Sequence, residues 1–186
     1  GTSFEETDYE YVALKPDMDL PLYFFGKYPD TDLESVGRYS EFSKSSVCNE
    51  EIEKFATFYS KYNRFKIYST DQGELLRDVR ITDESISNID RDNADYLYRT
   101  ATWASPNYIY TLGYNGTRDD IFENMDTDYQ TILEVWDWKG NLVNRVKFDR
   151  LIHNFTVSEK HRKIYAFSYL HEDKLFEYNL DDVLKD

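Results

Sequence analysis

The sequence predicts an all-β chain of repeated four-stranded antiparallel sheets, and three observations carry that prediction. Aromatic residues make up 17% of the 186 residues, with 17 Tyr and 12 Phe against 2 Met. That is the composition of pleated, half-buried strands rather than of helical bundles. Short runs that alternate apolar and polar side chains recur along the chain between turn-forming residues. A phrase of two strands around a glycine turn also occurs twice. "FKIYSTDQGELLRDVRIT", residues 65–82, and "ILEVWDWKGNLVNRVKFD", residues 132–149, superpose when Gly73 is set on Gly140, which sets Leu75 on Leu142 and Val79 on Val146. The first strands of the two phrases need a one-residue slip, after which Ile67 and Tyr68 match Val135 and Trp136. Hairpin turns commonly differ by one residue in this way.

The elements follow in order. "YEYVALKPDMDLPLYFFGKYPD", residues 9–30, supplies a hairpin around Pro16 to Asp19. A full unit at about 36–82 includes "KFATFYSKY", residues 54–62, ahead of the first glycine phrase. Here Ile52, Phe55, Tyr59 and Tyr62 also fall at helical spacing, with Asn49 as a cap. The strand is preferred because Phe58, Tyr62 and Phe65 are strand formers and the repeat register requires one. A second unit at about 95–149 holds "YLYRTATWA", residues 96–104, "NYIYTLGYNG", residues 107–116, and the second phrase. The last unit, 151–180, reads as three strands turning near His161 and Glu172. The whole chain, 1–186, is short enough for a single domain.

Repeats of roughly 40–50 residues with four strands each are the signature of β-propeller blades. About three and a half such blades are present, and because one blade cannot cover both of its apolar faces, neighbours must cover each other. Ile67, Val79, Ile81, Val135, Val146 and Phe148 are therefore expected to be buried.

Lys plus Arg number 22 against 36 Asp plus Glu, a net charge of -14. Such a field repels nucleic acid and anionic lipid and suits a cationic partner. No apolar run approaches the roughly 20 residues of a membrane span. Cys48, the single cysteine, has no partner for an internal disulfide and reads as a buried or inert thiol.

Two acidic stretches are candidate sites. In "DRDNAD", Asp90, Asp92 and Asp95 offer alternate carboxylates that suit calcium, although the loop lacks the glycine and distal Glu of an EF-hand, and a solvated turn between blades is the favoured reading. Residues 115–130 form an insertion relative to the first unit, and its Asp119, Asp120, Phe122, Glu123, Asp126 and Asp128 are the candidate binding residues. His153, His161 and His171 fall in separate turns and are not expected to converge on a metal. No nucleophile elbow, zinc-protease helix motif or phosphate-binding glycine loop is present, so no residue set specifies a reaction.

The phrases "FFGKYPD", "NYIYTLGYNG", "VWDWKGNLVNRVKFD" and "FTVSEKHRKIYAFSYLHEDKLFEYNL" resemble the later blades of the bacterial TolB-like six-bladed propeller family, over about residues 9–180. The resemblance implies the C-terminal part of a six-bladed ring in an exported, periplasmic or outer-membrane-anchored lipoprotein. It also implies a non-enzymatic binding or scaffolding role toward a protein or glycan. An incomplete ring exposes strand edges, so association with an N-terminal propeller half or with a second copy is expected. The alternative expectation is a hydrolase or lyase with a carboxylate or metal site at the channel mouth. Calcium is the one cofactor the residues suggest.

Overall fold

In a computed structural model, the described residues are 8–14, 21–28, 41–81, 96–123 and 130–185. Strand accounts for 59% of them and helix for 10%, which places the chain in the all-β class. The first sheet is a hairpin of β1 (Tyr9–Leu14) and β2 (Pro21–Lys27). A four-stranded sheet follows, made of β3 (Lys44–Asn49), β4 (Lys54–Tyr59), β5 (Arg64–Ser69) and β6 (Leu75–Arg80). The next four-stranded sheet holds β7 (Tyr96–Ala104), β8 (Tyr108–Thr117), β9 (Ile132–Asp137) and β10 (Leu142–Lys147). The last has three strands, β11 (Asn154–Ser158), β12 (Lys163–Phe167) and β13 (Leu175–Asn179), and leads into a short helix, α1 (Leu180–Val183). Every sheet is an antiparallel meander with strands in chain order. None of the helices among the described residues is long and apolar enough to cross a membrane.

The repeated phrase is a structural repeat. Gly73 and Gly140 both sit at positive φ, 66° and 88°, which an L side chain rarely adopts. At Gly73 a Cβ would also come within 2.6 Å of the Phe25 side chain, so glycine is required there twice over. The one-residue slip lies in the turn, which has six residues between Tyr68 and its partner Leu75 but five between Trp136 and its partner Leu142. Ile67 pairs with Arg77 and Tyr68 with Leu75, while Val135 pairs with Asn144 and Trp136 with Leu142, so both ladders skip one residue at the same place. The segment with competing helical spacing is a strand, and Asn49 instead closes the β3–β4 turn by accepting from the Glu51 N–H at 3.1 Å.

Each four-stranded sheet has a forward and a rear face, set by the two-residue period of its strands. Forward of β3–β6, the fully buried Ala56, Phe58, Phe65 and Ile67 pack on Ile109 and Trp136 of the next sheet. Phe65 meets Trp136 edge-on at 4.8 Å. Forward of β7–β10, Leu112, Leu133 and Val135 join Phe155, Val157 and Ile164 of the last sheet in a second core. The first strands lie side by side, because β3 packs on β7 and β7 on β11. Ser45 and Thr102 hydroxyls meet at 2.8 Å, and Asn49 Nδ2 donates to the carbonyls of Ser105 and Pro106.

Three burial expectations need correction. Ile67, Val135 and Phe148 are buried, but Val79, Val146 and Ile81 are only half-buried. Val79 and Val146 belong to the last strands of their sheets and Ile81 follows β6 directly, so solvent reaches one side of each. Leu75 and Leu142, on the same strands, are 48% and 43% exposed. Cys48, near the end of β3, is exposed rather than buried.

His153 is buried in the last core and fixed at both nitrogens. Its Nε2–H donates to the Ile121 carbonyl at 3.0 Å, and Nδ1 accepts from the Tyr169 N–H at 3.2 Å. Burial pushes its pKa below the ordinary value, against the opposing pull of the Ile121 hydrogen bond.

Two outcomes test this packing. Leu133→Ala removes a fully buried side chain and is expected to cost about 2–5 kcal/mol in urea unfolding, whereas Leu142→Ala costs under about 1 kcal/mol; equal losses contradict the register. His153 binds a proton more readily unfolded than folded, so its contribution is full above about pH 6.5 and is lost as pH falls through the lower, folded-state value. The denaturation midpoint is expected to drop between about pH 7 and 5 in the wild type by more than in His153→Gln, and matched curves contradict the assignment.

Candidate functional site

The alternation in "RFKIYS" sends Phe65 and Ile67 forward and Arg64, Lys66 and Tyr68 to the rear of the β3–β6 sheet. Cross-strand pairing sets Thr57 and Phe55 of β4 beside Lys66 and Tyr68, and sets Arg80, Asp78 and Leu75 of β6 beside Arg64, Lys66 and Tyr68. The β1–β2 hairpin covers part of this rear face. Tyr11 and Phe25 stack at 5.1 Å, and they meet Phe55 and Tyr68 edge-on at 4.9 and 5.5 Å. The Tyr11 hydroxyl donates to Thr57 Oγ1 at 2.6 Å.

Beside these rings lies a buried ionic cluster. The Glu10 side chain is 0% exposed and accepts at Oε1 from Tyr59 Oη at 2.6 Å and Lys66 Nζ at 2.8 Å, while Lys44 pairs with Oε2. Lys66 also donates to the Lys27 carbonyl at 3.0 Å. The Lys44 ammonium sits 4.8 Å from the Tyr11 ring centroid and 5.0 Å from that of Tyr28. Burial, and then the Glu10 charge, hold the Tyr59 hydroxyl far above its usual pKa; burial also raises Tyr11 and Tyr68 and lowers Lys44.

Next to the cluster a cleft of about 730 Å³ opens between the end of β2 and strands β5 and β6. Among the described residues Lys27, Arg64, Lys66 and Arg80 line it, with Asp78 as the one carboxylate. Tyr28, Tyr68 and Leu75 give it apolar wall, and Gly26 and Gly73 leave two stretches of backbone bare of side chain. Arg64 grips Asp78 as a fork, Nε to Oδ1 at 2.6 Å and Nη2 to Oδ2, and these hydrogen bonds hold the Asp78 carboxyl below its usual pKa. The volume falls in the range of small-molecule sites, and low-dielectric walls focus the field of such cations.

The second sheet carries a matching cluster at equivalent positions. Glu134 stands where Lys66 stands in the first sheet, and Arg145 where Asp78 stands, by the same cross-strand register. Glu134 Oε2 accepts from Arg99 Nε and Nη2 at 2.9 and 2.7 Å, and Oε1 from Arg145 at 2.9 Å. Arg99 reaches the preceding sheet through Asn63 Oδ1 at 2.7 Å. Asn63 and Trp136 seal this cluster, so its role is to join sheets.

Of the residues chosen from sequence, Asp119, Asp120, Phe122 and Glu123 form a single π-helical turn after β8. Asp120 Oδ2 accepts from the Thr117 N–H and hydroxyl, and Phe122 packs 5.4 Å from the His153 ring. Asp119 and Glu123 are exposed. Asp126 and Asp128 lie outside the described residues, as do Asp90, Asp92 and Asp95. Among the described residues no group of three or more His, Cys, Asp or Glu is placed to hold a metal ion.

Sequence reading passed over Glu10, Lys44, Lys66 and Arg80. The available signal was Lys66, a charge in the middle of a strand whose alternate residues are core, and Glu10, a carboxylate between two tyrosines in "YEYVAL".

No protein-family model matches the sequence, and no curated protein does. Among solved structures the chain is similar to a candidate 6-phosphogluconolactonase from Bacteroides uniformis, with a TM-score of 0.52 and 13% identity over 90% of this chain. The chain spans 43% of the length of that structure. A computationally designed protein, Ika8, shows 11% identity over 72% of this chain and 44% of its own, at a TM-score of 0.31. The first likeness bears on the fold alone and the second carries no argument; neither is a TolB-like protein.

Proposed function

We propose that the chain is part of a β-propeller that binds its ligand without transforming it, in the cleft between the N-terminal hairpin and strands β5 and β6. Three features support the propeller. Two four-stranded meanders repeat in register, each sheet's forward face packs on the next sheet, and the first strands of successive sheets lie together. With the TolB-like resemblance, the proposal extends to a binding role in the cell envelope.

The observation that carries the binding reading is the state of the two carboxylates at the cleft. Glu10 is saturated by Tyr59, Lys66 and Lys44, and Asp78 is clamped by Arg64 with its pKa held low. A general acid needs a carboxyl whose pKa is raised, and a base or nucleophile needs a free carboxylate within reach of substrate. Asp78 is held low and clamped, and Glu10 is taken up by three donors, so neither is a free carboxylate, whereas a rigid, half-apolar cleft with fixed polar groups meets the conditions for binding.

A bacterial metabolite extract incubated with the protein and recovered by ultrafiltration and mass spectrometry tests this. The expected result is enrichment of a compound at unchanged mass, reduced about tenfold or more in Lys27→Glu/Arg80→Glu. New product masses that grow with time establish the hydrolase or lyase reading instead, and equal enrichment by the variant places the ligand elsewhere.

A further inference from the structure

We infer that the cleft accepts a small organic dianion, of the class that phosphate monoesters and dicarboxylates share, with Arg80 and Lys27 contacting its charged end. This rests on the reading of the cleft as the binding site and deepens it.

The first ground is a local reversal of sign. The chain carries -14 overall, yet four cations line the cleft against Asp78, with Glu10 buried beside it. Arg64 and Asp78 satisfy each other as a fork, and Glu10 is shared between Lys44 and Lys66. Lys27 and Arg80 are left over: neither side chain makes a hydrogen bond or ion pair among the described residues, although Arg80 adds its field at Asp78, and both are exposed at the cleft. Two cations with no ion-pair partner among the described residues, at one concave site, call for an anion of about two charges.

The second ground is an unfavourable arrangement that an anion relieves. Arg64 and Arg80 are direct cross-strand partners, so two guanidinium groups share one face of the β5–β6 ladder, with Lys66 the next residue along that face. Like charges directly opposite destabilise a sheet. Asp78 is clamped by Arg64 and feels Arg80 only through its field, so among the described residues this face keeps a surplus of positive charge. Lys66 adds an independent pointer, because its side chain is only 5% exposed and two of its three N–H groups are spent, on Glu10 and on the Lys27 carbonyl. Its ammonium also lies 5.4 Å from the Tyr59 ring centroid, so Lys66 brings to the cleft chiefly its positive charge.

The remaining features set size and kind. A volume of about 730 Å³ far exceeds one inorganic anion, and Tyr28, Tyr68 and Leu75 offer apolar surface to a carbon skeleton. A polyanion such as nucleic acid meets the repulsion of the whole chain, whereas a small dianion meets chiefly the local cations.

Isothermal titration of the full chain with phenyl phosphate, succinate, inorganic phosphate and neutral phenyl glucoside tests the inference. Saturable binding of phenyl phosphate or succinate is expected, weaker for inorganic phosphate, and falling as salt rises. Arg80→Gln is expected to weaken it about tenfold or more while the far-ultraviolet circular dichroism stays unchanged, and Lys160→Gln, in the exposed β11–β12 turn, leaves it intact. Absence of saturable binding for both organic dianions overturns the inference, as does binding that Arg80→Gln leaves unchanged. Inorganic phosphate binding as tightly as phenyl phosphate overturns the organic part. If phenyl glucoside binds in an Arg80-dependent way and the dianions do not, the cleft is a binding site and only the ligand class is wrong. If nothing in the panel binds and the metabolite experiment is also empty, the binding reading falls with it.

Discussion

Two buried carboxylates, each held between two cations, are the interaction on which the arrangement of the sheets depends. Glu10 lies between Lys44 and Lys66, and Glu134 between Arg99 and Arg145. A charge taken out of water costs several kcal/mol, and mutual attraction offsets that only when the geometry is good and the remaining donors are satisfied. Further hydrogen bonds support both clusters, from Tyr59 to Glu10 and from Arg99 to Asn63. Apolar faces can slide over one another at little cost, but a carboxylate with three donors has one seat. The aromatic contacts hold the hairpin against the sheet, and Glu10 decides where it sits.

The cleft follows from that seat. With Glu10 in place, the end of β2 brings Gly26, Lys27 and Tyr28 opposite β5 and β6, and Phe25 is pressed against Gly73 at a distance that any side chain there would forbid. The Lys66 bond to the Lys27 carbonyl joins the ionic cluster to the cleft wall directly. Stability and the shape of the cleft therefore share one residue. In the second sheet the same strand positions carry charges of opposite sign, Glu134 for Lys66 and Arg145 for Asp78, and there the cluster is sealed between sheets. One ladder register thus serves a cleft in one unit and a sheet junction in the next.

Much of this fold was legible in the sequence, and the reasons are local. The two-residue period placed nearly every strand, the two glycines marked equivalent turns, and the one-residue slip inferred from Ile67 and Val135 is the difference in turn length, six residues between Tyr68 and Leu75 against five between Trp136 and Leu142. Burial of Val79 and Val146 was overestimated because alternation reports the face of a strand and not its place in the sheet. The site was not legible. Glu10 and Lys66 are 56 residues apart, and nothing local says that they meet. The net charge suggested a cationic partner, but the sum hides where the fold gathers its few cations. The acidic insertion drew attention by its carboxylates, whereas its described part is pinned by Ile121 and Phe122 against His153.

A double-mutant cycle between Glu10→Gln and Lys66→Met, read by urea unfolding, tests the central claim most directly. Each single substitution leaves a buried partner uncompensated and is expected to cost about 3–5 kcal/mol, while the double variant costs less than their sum by about 1 kcal/mol or more. Losses that add to within about 0.5 kcal/mol show that Glu10 and Lys66 act independently, and contradict the account of the hairpin as seated by a buried ionic cluster.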